Sequence, residues 1–228
     1  MFLIFLCYNT GMKDLEGNPV GSANADFCNF LRSDAVTAYA VGLWCADGYH
    51  RTSSIGLSNT NEDLIRKFTQ FLLRHFSEDR LKLRLYYPDN DLRRTTAYHT
   101  YVNCRPLLRE FKTIKENPNL FIPRELIWPY LAGRFDGDGS VAKDFHCDCR
   151  IVYSTEIEAR NDLVFLELMD FKLSKIYQYK KTRTFCLYIS RFETDKFLNG
   201  IYPYSVKLQK SAFVPRRDFS RKGRTVVI

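Results

Sequence analysis

One stretch constrains this chain more than any other: Leu131-Ala132-Gly133-Arg134-Phe135-Asp136-Gly137-Asp138-Gly139. Upstream, Ile127, Tyr130, Leu131 and Phe135 recur at helical spacing, so a helix runs into the Asp-Gly-Asp-Gly segment, which reads as a turn. Pro123 suits the opening of that helix, because a proline costs least in a first turn. Ala132 and Gly133 carry almost no bulk one turn before the acids, which lets a second helix approach closely. The turn leaves Asp138 exposed at a helix C-terminus, where the helix dipole disfavours an anion. A bound divalent cation would account for an acid in that place.

The same design occurs once more. Ala40-Val41-Gly42-Leu43-Trp44-Cys45-Ala46-Asp47-Gly48 follows a helical run through Val36, Tyr39 and Leu43, capped by Ser33 or Asp34. Registered on the terminal Asp-Gly, the two stretches align without a gap. Asp47 then matches Asp138, Gly42 matches Gly133, and Cys45 stands where the other copy has Asp136. The matched acids lie 91 positions apart, and 90 residues follow Asp138, which points to an internal duplication.

Elements on either side repeat in the same order. After Gly48, Tyr49 to Leu57 reads as a strand with Ile55 and Leu57 at period two and Arg51 and Ser53 in phase with them. Asn61 to Phe76 reads as an amphipathic helix. In Arg80 to Tyr86 the cationic and polar side chains Arg80, Lys82, Arg84 and Tyr86 alternate with Leu81, Leu83 and Leu85, as in an antiparallel strand with one polar face. A turn at Pro88–Asp91, a partner strand at Thr95–Asn103 and a short helix from Pro106 to Phe111 close the first set. The second set comprises a strand pair near Ser140–Ser154, a helix near Glu158–Phe171, strands near Ser174–Lys180 and Thr184–Ser190, and a helix at Glu193–Leu198. The pattern alone gives a duplicated α+β chain.

Composition narrows the partners. A net charge of +8 and a pI near 9.1 favour an anionic partner such as nucleic acid. The seven cysteines form no disulfide-like framework, and His146, Cys147 and Cys149 lack the paired spacing of a zinc site, so a reducing, intracellular setting is expected rather than secretion. No stretch is long enough to span a bilayer. Met1 to Tyr8 is apolar but too short for a secretory core with its cleavage site. It reads either as a packed strand or as an extension.

Leu131 to Gly139 resembles the signature of the LAGLIDADG homing endonucleases, and Val41 to Gly48 resembles a degenerate first copy of it. The resemblance implies two pseudo-symmetric αββαββα repeats in one chain. Their signature helices pack at the centre, and two antiparallel sheets form a DNA-binding saddle. It divides the chain into an N-terminal extension (1–32), a first repeat (33–111), a linker (112–122), a second repeat (123–215) and a basic tail (216–228). The tail carries Arg216, Arg217, Arg221, Lys222 and Arg224, suited to non-specific phosphate contact or simply to solvent.

The resemblance also implies the chemistry. Asp47 and Asp138 would meet beneath the saddle as catalytic and metal-binding acids, with the carbonyls of Ala46 and Gly137 from the same turns. Two carboxylates about 4 Å apart repel by roughly 4 kcal/mol at an effective dielectric near 20. Magnesium, a hard cation that keeps its waters, would relieve that, with manganese or calcium as alternatives. Phosphodiester hydrolysis follows, with Lys207 as the catalytic cation and Lys210 as its fallback. The first repeat's lysine is left open between Lys112, Lys115 and none. DNA contacts fall on Arg51, Ser53, Arg80, Lys82, Arg84 and Tyr86 in the first repeat, and on Lys143, Arg150, Lys175 and Lys180 in the second. The implied enzyme is a monomer acting on double-stranded DNA at a long asymmetric site, encoded in an intron rather than an intein. The alternatives are an RNA maturase acting on intron RNA and a DNA-binding regulator.

Overall fold

The computed structural model describes residues 34–86, 96–142 and 148–210. The segment 1–32, Ser33 as a cap, the turn at Pro88–Asp91, Lys143, His146, Cys147 and the basic tail lie outside the described residues.

Two central helices carry the acids. Helix α1 (Ala35–Asp47) is capped by Asp34, whose carboxylate accepts the amide of Thr37 at 2.9 Å. Helix α5 (Ile127–Asp138) follows a single 3-10 turn, Arg124–Leu126, that Pro123 precedes, so the proline opens that turn and not the helix itself. Both helices are buried on almost every side, as a helix at the centre of two layers must be.

They touch along their small residues, and the contact is reciprocal. A Cβ on Gly42 would stand 2.0 Å from the carbonyl oxygen of Tyr130, and one on Gly133 would stand 2.2 Å from that of Tyr39. Tyr39 and Tyr130 are matched positions of the duplication, so each glycine receives the same backbone atom of the other helix. No residue larger than glycine permits this approach without moving a backbone.

Each signature helix feeds one four-stranded antiparallel sheet. The first contains β1 (Gly48–Arg51), β2 (Ser54–Asn59), β3 (Lys82–Tyr86) and β4 (Ala97–Asn103) in the order β1-β2-β4-β3. Helix α2 (Glu62–Leu73), capped by Asn61, connects β2 to β3, and α3 (Arg105–Glu116) follows β4. The short α4 (Pro118–Phe121) leads to the second repeat. There β5 (Gly139–Val141), β6 (Cys149–Tyr153), β7 (Lys175–Tyr179) and β8 (Thr184–Ile189) take the order β5-β6-β8-β7. Helix α6 (Glu156–Leu168) connects β6 to β7, and α7 (Thr194–Ile201) and α8 (Val206–Lys210) follow. Two αββαββα units in one chain, with the same strand order, are the expected α+β architecture.

The core lies where the helices cover the sheets. Ile55, Leu57 and Val102 in the first sheet and Cys149, Ile151, Leu187 and Ile189 in the second are buried against them. The alternation of β3 has a different outcome. Leu83 and Leu85 face the helix side, yet they are 67% and 52% exposed, because β3 is an edge strand lying beyond the cover.

Three other expectations change. The segment Asp136-Gly137-Asp138 is helical and not a turn; the helix ends only at Gly139, whose N–H bonds to the Phe135 carbonyl. Tyr49 to Leu57 is not one strand but a hairpin, turning at Thr52 with φ 39°. The helix expected from Glu158 starts earlier, at Glu156, because Thr155 accepts the Glu158 amide as its cap.

Candidate active site and nucleic-acid interface

Because α1 and α5 run side by side, their C-terminal acids arrive together. Asp47 and Asp138 are half-buried, so Asp138 is not the exposed residue its sequence suggests. A Cβ on Gly137 would lie 3.2 Å from an Asp47 carboxylate oxygen, which places Asp47 against the last turn of α5. Burial raises the pKa of both acids, and the Asp47 charge raises that of Asp138 further. Asn59 of β2 donates to Asp47 at 2.7 Å.

Lys207 stands beside them. Its ammonium donates to the carbonyls of Gly137 at 3.0 Å and Gly139 at 3.4 Å. Burial pushes its pKa down, while Asp136, Asp47 and Asp138 pull it back up. The fallback, Lys210, instead pairs with Asp63 at the start of α2. In the first repeat, Lys115 donates to the Cys45 carbonyl at 2.9 Å and pairs with Glu158 at 3.5 Å. Lys115 therefore reaches the last turn of α1 much as Lys207 reaches that of α5.

Several organising residues have no signal in the motif itself. Asp136 is fully buried and accepts from Tyr39 Oη at 2.6 Å, Ser205 Oγ at 2.5 Å, the Val206 amide at 2.6 Å and the Lys207 amide at 3.3 Å. It thereby ties α1, α5 and the start of α8 together. Arg134 is 1% exposed, bonded to Asp162 at 3.1 Å and Glu158 at 3.3 Å, and its guanidinium lies over the Tyr153 ring at 4.5 Å. Tyr130 and Tyr153 both donate to Asp162, at 3.1 and 2.8 Å. The matched tyrosines Tyr39 and Tyr130 are the one sequence clue, since a buried phenol requires an acceptor.

Hard oxygen donors dominate the acid pair: two carboxylates and the backbone carbonyls beside them. Among the described residues no group of three His, Cys, Asp or Glu side chains gathers into a metal cluster. That donor set fits a cation that keeps waters and shares its coordination with phosphate oxygens, as magnesium does.

Pairing register sorts the basic residues. In the first sheet Arg51, Lys82, Arg84 and Tyr86 lie with Tyr49, His99 and Tyr101 on the face turned away from the helices. There the Arg51 guanidinium lies over Tyr49 and that of Arg84 over Tyr101. In the second sheet Arg150, Lys175 and Tyr188 share a row, with Tyr177 in the next. Arg150 is held by Asp148 at 2.7 Å, and Lys180 sits in the β7–β8 turn. Two expected residues of the first repeat also lie apart from the sheet face: Ser53 is in the β1–β2 turn, and Arg80 is in a 3-10 turn, over the Phe76 ring and donating to the Asn103 carbonyl at 3.3 Å.

Residues 34–115 match the LAGLIDADG-like domain model. A curated A-type ATP synthase protein of Methanopyrus kandleri is 32% identical over 132 residues, 56% of this chain and 12% of that protein. The chain thus matches only a small part of that relative's length. Among solved structures, a variant of I-DmoI in complex with its target DNA in the presence of manganese aligns with a TM-score of 0.58 at 18% identity, covering 74% of this chain and 94% of that one. The homing endonuclease I-WcaI bound to its DNA recognition sequence aligns at 0.55 and 16% identity, covering 84% and 92%. Full-length DUF199/WhiA from Thermatoga maritima aligns at 0.55 and 15%, covering 82% and 62%. At these identities the structural matches establish the fold.

Proposed function

We propose that this chain is a member of the LAGLIDADG homing-endonuclease family and acts as a single-chain, metal-dependent, site-specific endonuclease of double-stranded DNA, a reading that its matched domain and its fold support. The observation that carries the reading is the convergence of Asp47 and Asp138 at the ends of two abutting helices, next to two sheets whose outer faces hold cations and aromatics. Two repeats in one chain supply both halves of such a site, so a monomer suffices, and the halves differ in sequence, which suits an asymmetric target. The structural neighbours solved on DNA with manganese support the same reading.

Asp47 and Asp138 would hold the divalent cation, with the Ala46 and Gly137 carbonyls nearby. Bound there, such a cation activates water and stabilises a leaving oxygen. The chain's own groups do the rest. Lys207 presents positive charge where negative charge grows on phosphorus. Asn59 holds Asp47 in place. Arg51, Lys82, Arg84 and Lys175 bind phosphates and base edges, and the aromatics between them pack against sugar and base. An intron-encoded origin fits this activity. A maturase or a regulator needs only binding, and a half-buried acid pair works against binding an anion, so the acids favour the nuclease.

The test is incubation of the protein with a randomised duplex library and magnesium, followed by sequencing of the cut ends. One preferred site is expected. Asp138→Asn should abolish cutting while affinity for the recovered duplex stays within a few fold, and that affinity should fall steeply with salt. A variant that cuts normally refutes the assignment of the acid.

A further inference from the structure

The duplication is not carried through at the positions flanking the acids. Gly48 pairs with Leu57 and Gly139 pairs with Ile151, so Asn59 of β2 corresponds to Tyr153 of β6. Asn59 donates to Asp47, whereas Tyr153 donates to Asp162, and among the described residues no side chain donates to Asp138. Asp136 corresponds to Cys45. The Asp136 carboxylate accepts three hydrogen bonds, from Ser205 Oγ and from the Val206 and Lys207 amides, which fix that segment against the end of α5. A cysteine cannot accept such a set, and among the described residues of the first repeat no equivalent tether is present.

The two lysines differ accordingly. Among the described residues the Lys207 ammonium has only carbonyl partners, at Gly137 and Gly139, and no ion pair. Lys115 faces a carboxylate of the other repeat, Glu158 of α6, at 3.5 Å, and the same carboxylate oxygen holds Arg134 at 3.3 Å. Glu158 is therefore anchored by a buried arginine in a position that cancels the Lys115 charge.

We propose that Glu158 is a positioning residue that restrains Lys115, so that the phosphodiester served by Lys207 is cut ahead of the one served by Lys115. The proposal rests on the nuclease reading. In each step a water oxygen bonds to phosphorus, the bond from phosphorus to one sugar oxygen breaks, and that oxygen takes the proton. A free ammonium offsets the charge that builds on phosphorus. One already matched by a carboxylate does so less.

The test uses the duplex recovered from the randomised library, labelled on each strand with a different dye and cut in magnesium. A nicked intermediate should accumulate, with one strand cut on the order of tenfold faster. A single donor removed from a charged transition state costs roughly 10²–10³-fold. Lys207→Met should slow the faster strand by about that amount, and Glu158→Gln should speed the slower strand and bring the ratio of rates towards one. Damage to the fold lowers both rates together and leaves their ratio unchanged, so the ratio reports positioning. If Glu158→Gln does not fold, Lys115→Met replaces it, and the slower strand should then slow further. Equal rates in the unaltered protein, or Lys207→Met acting on the slower strand, overturn the order of cutting and leave the nuclease reading standing. No cutting of either strand sinks both.

Discussion

Gly133→Ala separates the helix-contact account from its alternative by the sign of its effect. In an ordinary helix interior, alanine is about 1 kcal/mol better than glycine, so a glycine there without a packing role would make this a stabilising change. Here the new methyl would meet the Tyr39 carbonyl oxygen at 2.2 Å and the Leu43 amide nitrogen at 2.5 Å, where ordinary contact begins at 3.4 Å. The shortfall to the oxygen is about 1.2 Å, and both obstacles are backbone, so no side-chain rotation relieves it. The helices must part by about 1 Å. Overpacking of this kind costs about 1–3 kcal/mol, and the upper end applies because backbone must move. For a chain of this size that is a fall in melting temperature of roughly 6–12 °C, at about 2–4 °C per kcal/mol. Parting the helices also parts Asp47 from Asp138, and a 1 Å misplacement of reacting groups costs roughly 100-fold in rate. Thermal melts and single-turnover cutting of the recovered duplex measure both effects. A variant melting at or above the parent, with unaltered cutting, would refute the claim that this glycine sets the spacing of the acids.

The remaining expectations concern Asp138 and Asp136. The folded-state pKa of Asp138 is raised above 3.8 by burial and then by Asp47. An acid so shifted contributes stability that is complete below the unfolded value and is lost as pH rises through the folded one. In a chelator, Asp138→Asn should therefore unfold at higher urea than the parent at pH 7, the gap closing as pH falls towards 3.8. Magnesium should raise the melting point of the parent and not that of the variant, because only a site that binds the ion gains from it. Tyr39→Phe removes a donor from the buried Asp136 carboxylate, which costs about 1–3 kcal/mol of stability; urea midpoints measure this, and an unchanged midpoint would mean that Asp136 does not need the phenol.

What could be read from the sequence was local in origin. Helical spacing before each Asp-Gly, two small residues one turn upstream and a gapless register sufficed to match Asp47 with Asp138 and to infer abutting helices. What escaped depends on partners remote in the chain. Asp-Gly-Asp-Gly carries local turn propensity, but packing against Ala46 and the tether from Asp136 to Ser205 keep the segment helical to Asp138. Leu83 and Leu85 show the periodicity of a buried strand face, and only the place of β3 at the sheet edge exposes them. Arg134 looks like a tolerated departure from the motif, yet it is the buried centre of a charge cluster whose acids come from α6, beyond the reach of any short-range pattern.

That cluster bears on why the acid pair is tolerated at all. Two carboxylates at the C-terminal ends of parallel neighbouring helices add their charge to two converging negative dipole ends. Arg134 and Lys207 offset it, each lowering the pKa of both Asp47 and Asp138, and Lys115 also acts on Asp138. The three cations are not equivalent. Arg134 is locked to Asp162, and Lys115 is matched by Glu158, so both are already engaged by carboxylates. Among the described residues Lys207 has only carbonyl oxygens to give up, so under the proposed nuclease reading it is the charge that would move from stabilising the resting acids to stabilising the reacting phosphate.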